Sequence, residues 1–112
     1  MTDVIRVVVG EATDHVVVSA HGVLYFDTLQ PLQDALLVQV ARDNARVVLD
    51  LAGVSQCDSS GLNLFVRAYK LAHQHGGWFR LAAPAHAVRR LLELTNLNRA
   101  LPVFDSVAEA AR

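Results

Sequence analysis

The 112-residue sequence predicts a single α/β domain: a mixed sheet of four to five strands, opened by an antiparallel hairpin, with about four helices packed on it. Three observations carry that prediction. The chain is 53% hydrophobic, too apolar for disorder, and of a length that closes one core but not two. Two β-branched runs open it around a turn-rich break. From residue 46 onward, short apolar runs alternate with segments of helical spacing, a pattern that gives parallel strands joined by right-handed crossovers. No linker, low-complexity segment or repeat divides residues 1–112, so they read as one unit.

The elements follow in order. "VIRVVV" (Val4 to Val9) and "HVVVSA" (His15 to Ala20) flank "GEATD" and predict the hairpin. Beyond Gly22 comes a short apolar piece, "VLYF", and then a helix within Thr28 to Asn44, where Leu29, Leu32, Leu36 and Val40 fall at helical spacing. Asp27 or Thr28 can cap it, and Pro31 sits in its first turn, where a missing N–H costs little. "RVVLDL" (Arg46 to Leu51) is a nearly continuous apolar run, as in a strand covered on both faces, and "AGVSQC" follows as a loop. "SSGLNLFVRAYKLAHQHGG" predicts a second helix with Leu62, Phe65, Tyr69 and Ala72 along one face and Gly76-Gly77 at its end. "WFRLA" (Trp78 to Ala82) is a strand, and Pro84 opens a third helix whose apolar side is Val88, Leu91 and Leu92. "LPVF" and "DSVAEAAR" close the chain as a short strand and a last helix.

Several function classes are disfavoured. A net charge of -1, with no arginine cluster interleaved with aromatics, is not the footprint of a nucleic-acid binder. The apolar runs are too short to insert in a membrane, and "MTDVIRVVVGEA" lacks a basic leader and a cleavage site, so the expectation is a soluble, cytoplasmic protein. Cys57 is the single cysteine, which precludes an internal disulfide and fits a reducing compartment. For a nucleophile elbow around Ser59, Cys57 stands where the first glycine is needed. His15, His21, His73, His75 and His86 read as surface or edge residues, and His73 and His75, two apart on a helix, cannot face one metal. Neither an enzyme nor a metal site is expected.

The polar knot "DSSG" stands where a buried strand gives way to a helix. Asp58 is a good N-cap, able to accept the free N–H groups of the first turn, and Ser59 or Ser60 could also serve. Gly61 costs the helix roughly 1 kcal/mol relative to alanine. It either leaves backbone open to close approach or relieves packing against a neighbouring element. Projected on a wheel, Ser59 lies at the margin of the core stripe beside Asn63, Arg67 and Lys70, and Ser60 points more fully to solvent. Leu64, Ala68 and Leu71 form a second, mildly apolar stripe that reads equally as a docking face or as a surface buried against the third helix. A phosphate on Ser59 would be tolerated by the fold, because the free N–H groups and dipole of a helix N-terminus favour an anion.

"VVLDLAGVSQCDSSGLNLFVRAYKLAHQHGG" resembles the signature of the STAS domain, and specifically of bacterial anti-sigma factor antagonists, with its Asp-Ser-Ser/Thr-Gly-Leu element before a helix ending in Gly-Gly. The similarity continues through "APAHAVRRLLELTNLNRALPVFDSVAEAAR". The resemblance implies that Ser59 is phosphorylated by the anti-sigma factor, a serine kinase, with Asp58 as the adjoining acid and Ser60 at a position that is serine or threonine in relatives. It implies that the unphosphorylated form binds the anti-sigma factor and frees the sigma factor, and that a PP2C-type phosphatase reverses the switch. ATP would belong to the kinase, so no cofactor is expected on this chain. The implied contact surface is Tyr25, Asp58, Ser59, Ser60, Gly61, Asn63 and Leu64. The chain departs from the family pattern in two respects: Val23 and Tyr25 replace the acids of Gly-Glu-Leu-Asp, and Asn96 replaces a common glycine. The first keeps a second reading open, a STAS subunit making a permanent contact in a transporter or stress complex. A third is a nucleotide or other small-ligand site between the hairpin and the second helix.

Overall fold

The computed structural model describes residues 4–112; the expectation resting on the first three residues lies outside them. In chain order the elements are β1 (Arg6–Glu11), β2 (Val16–Leu24), α1 (Gln30–Val40), β3 (Arg46–Cys57), α2 (Ser59–Gln74), β4 (Trp78–Ala82), α3 (His86–Leu94), α4 (Leu97–Ala100), β5 (Val103–Phe104) and α5 (Val107–Ala110). The five strands form one sheet in the order β1-β2-β3-β4-β5. Only β1 is antiparallel to its neighbour; the crossovers through α1, α2 and α3 make the remaining pairs parallel. This is the mixed sheet the sequence predicts, with five helices, two of them single turns.

Strand periodicity decides which side chains meet the helices. Val18 and Ala20 of β2, Val47, Leu49 and Leu51 of β3, and Phe79 and Leu81 of β4 form one core with Leu32 and Leu36 of α1, Phe65 and Ala68 of α2, and Val88 and Leu92 of α3. The alternate residues Val48 and Ala82 meet Ala110 of α5 on the other face, with Val17, Trp78 and Phe104 packed around them. The middle of β3 is thus covered on both faces, as its continuous apolar run requires.

Several elements differ from expectation; β1, for one, takes in Gly10 and Glu11 of the expected turn. Residues 52–57 are not a loop: β2 runs on past Gly22 (φ +125°) to Leu24 and pairs with β3 as far as Leu24 opposite Cys57, with register shifts between Ser19 and His21 and between Gly22 and Val23. Neighbouring backbone thus completes a ladder that residues 52–57 do not advertise by themselves. Helix α1 starts after Leu29, and neither Asp27 nor Thr28 caps it. Thr28 is buried; its hydroxyl donates to the Val23 carbonyl (2.7 Å) and accepts from the Tyr25 N–H (2.9 Å), tying the end of β2 into a turn. Pro84 sits ahead of α3, whose N-cap is Ala85. The single turn α4 was not expected; it begins at Asn96, which holds φ +63°, a left-handed conformation that asparagine bears better than most residues.

Candidate functional site

The long β3 delivers Asp58 to the start of α2 beside the end of β2. There the Asp58 N–H donates to the Leu24 carbonyl (3.1 Å). Its side chain is the N-cap of α2: Oδ1 accepts from the Ser60 N–H (2.9 Å) and the Gly61 N–H (3.3 Å). The second oxygen, Oδ2, accepts from the N–H of Phe26 (3.1 Å), in the connection between β2 and α1. One carboxylate therefore serves the helix terminus and pins a loop that comes from another part of the chain.

Gly61 has a local cause. A Cβ there would stand 3.1 Å from Cys57 Cβ and 3.2 Å from the Leu24 carbonyl oxygen, so the glycine lets α2 close onto β2 and β3. Of the two readings of this residue, relief of packing is the one the geometry supports. The Cys57 thiol beside it is pushed up to about 11, by burial first and by the adjacent Asp58 charge second, which leaves it protonated near neutrality.

The two serines are not equivalent, and their exposure is the reverse of the wheel projection. Ser59 is exposed and Ser60 half-buried. The reason is the neighbour that the wheel omits: α2 packs on α1 as well as on the sheet, and Leu64 (1% exposed) and Ala68 (0%) lie in the core. Counting them as buried rotates the inner arc of α2, which draws Ser60 toward its edge and swings Ser59 outward. Leu64, expected at the contact surface, is consequently a core residue and presents no surface to a partner. Gly61 is buried as well, so its part at the site is to hold the helix close. The remaining expected positions do gather around the helix start. Asn63 is exposed, and Tyr25 is half-buried with its hydroxyl donating to Gln56 Oε1 (2.7 Å).

Sequence reasoning missed Phe26. It is 78% exposed, and its backbone is held by Asp58. The signal available was an aromatic pair, "YF", immediately before the turn "DT". A large apolar side chain held at the rim of a polar helix terminus is a feature of contact surfaces.

The fold and this junction define a small STAS-type α/β domain. The STAS domain model matches residues 6–110, and the chain belongs to that family. It is 30% identical over 97 residues to the anti-sigma-B factor antagonist of Listeria monocytogenes, an alignment covering 87% of this chain and 85% of the relative. It is 37% identical over 65 residues to a candidate anti-sigma factor antagonist of Thermotoga maritima, a match spanning 58% of each chain. The crystal structure of an anti-sigma factor antagonist from Mycobacterium paratuberculosis superposes with a TM-score of 0.85 at 29% identity, covering 95% of this chain and 90% of that one.

Proposed function

We propose that the chain is an anti-sigma factor antagonist switched by phosphorylation of Ser59. In its unphosphorylated form it binds an anti-sigma factor, a serine kinase, and so releases a sigma factor for transcription; phosphorylation ends the binding, and a PP2C-type phosphatase restores it. The switch operates in the cytoplasm, with ATP bound by the kinase. The observation that carries this reading is the exposed Ser59 as first residue of α2, directly after the Asp58 cap. The names of the relatives support an antagonist over a subunit permanently attached to a transporter.

The physics of the site suits such a switch. A phosphate adds about -1.5 to -2 charges, and at the N-terminus of a sixteen-residue helix the dipole favours it, so the domain keeps its shape. A partner surface closed over Ser59 has no such compensation, and an unpaired phosphate beside Asp58 repels it. The test is incubation with the cognate anti-sigma factor and ATP, followed by mapping of phosphate by mass spectrometry. Ser59 is expected to carry the phosphate, Ser59→Ala to bind without being modified, and Ser59→Asp to bind at least about tenfold more weakly. Phosphate on neither serine sinks the proposal, and phosphate on Ser60 alone moves the switch to that residue.

A further inference from the structure

A groove of about 260 Å³ runs between α1 and α2, lined by Leu37, Arg67, Lys70, Leu71 and Gln74. Its floor is apolar: Leu37 and Leu71 are half-buried and packed against the core. Its rim is cationic. Arg67 and Lys70 are exposed, and among the described residues neither takes part in an ion pair. Arg67 only reaches Gln33 Oε1 across the groove, at 3.4 Å. Asp34 of α1 is engaged by Gln30 Nε2 (2.7 Å). In a chain of net charge -1, two unpaired cations beside an apolar floor are a local feature. Helical spacing places Arg67, Leu71 and Gln74 on the side of α2 that also carries Ser60, so the groove lies on the same side of the helix, about two turns beyond the Asp58 junction.

We propose that this groove is the second half of the anti-sigma factor interface, and that it receives an acidic amphipathic segment of that partner. An apolar side chain of the segment enters between Leu37 and Leu71, and flanking carboxylates pair with Arg67 and Lys70. The proposal rests on the functional reading above and adds the chemistry of the partner. It also separates two roles: the Ser59 end switches the complex, whereas the groove steers and orients it through charge.

The experiment uses the full chain and its cognate anti-sigma factor. Lys70 is the only lysine in the sequence, so a zero-length carbodiimide cross-link from its side chain reports one position. The expected product joins Lys70 to an Asp or Glu of the anti-sigma factor that has apolar neighbours in sequence. The double variant R67E/K70E, at exposed positions, should keep its circular dichroism and bind at least about tenfold more weakly at low salt, with the difference shrinking as salt rises. If R67E/K70E binds like the parent while Ser59→Asp still weakens the complex, the groove is not part of the interface and the functional reading stands. A cross-link from Lys70 to a second copy of this chain also overturns the groove assignment. If the parent chain fails to bind the anti-sigma factor at all, both proposals fall together.

Discussion

Replacing Asp58 by alanine removes three acceptor contacts at once, and the structure allows their worth to be apportioned. Loss of an N-cap costs about 1 kcal/mol, and here both the Ser60 and Gly61 N–H groups lose their partner. The Phe26 N–H loses a charged acceptor at an exposed position where water substitutes in part, so its share is up to about 1 kcal/mol. The sum is about 2 kcal/mol, a large fraction of the stability of a small domain. With a urea dependence of roughly 1–3 kcal/mol per molar, the unfolding midpoint should fall by about 1 M. Asp58→Asn separates the two contributions. Its carbonyl can still cap α2, but its amide turns a donor toward the Phe26 N–H, so the variant should fall between the parent and alanine. A midpoint shift for Asp58→Ala equivalent to under about 0.5 kcal/mol would refute the reasoning, as would an asparagine variant indistinguishable from alanine.

Two further outcomes follow from the same region. Leu64→Ala, at a position without surface exposure, should destabilise the fold by about 2–5 kcal/mol in urea or thermal unfolding; a docking residue would instead lose binding while keeping stability. Cys57 should resist alkylation in the native state: with its thiol raised from 9.0 to about 11, the thiolate fraction near pH 8 is about 100-fold below that of a free thiol. The sign also fixes a stability trend. A thiol held above its unfolded value favours the folded state fully below about pH 9 and loses that contribution as pH rises through about 11, which a Cys57→Ser control should flatten in alkaline denaturation.

Much of the fold was legible because its signals are local. β-branched runs set β1 and β2, the continuous run Val47 to Leu51 marked a strand buried on both faces, and Leu62, Phe65 and Ala72 lined the inner side of α2 as their spacing required. The cap was legible too, since a carboxylate immediately before a helix needs only its own first turn to act. Where expectation and structure part, a contact from outside the element decided the outcome, long-range in one case and local in the other. Residues 52–57 are strand because β2 continues beside them. Thr28 does not cap α1 because the Val23 carbonyl and the Tyr25 N–H occupy its hydroxyl.

The sequence by itself determined the succession of the main strands and helices, the junction of strand and helix at Asp58 and the STAS resemblance, all of which depend on residue type and short-range spacing. Only the tertiary structure decided which serine faces solvent, that Leu64 is core, that Gly61 answers to Leu24 and Cys57, and that Arg67 and Lys70 flank an apolar groove. Each of these depends on where α1 and β2 lie against α2. That placement follows from packing between segments far apart in the chain, which no window along the sequence contains.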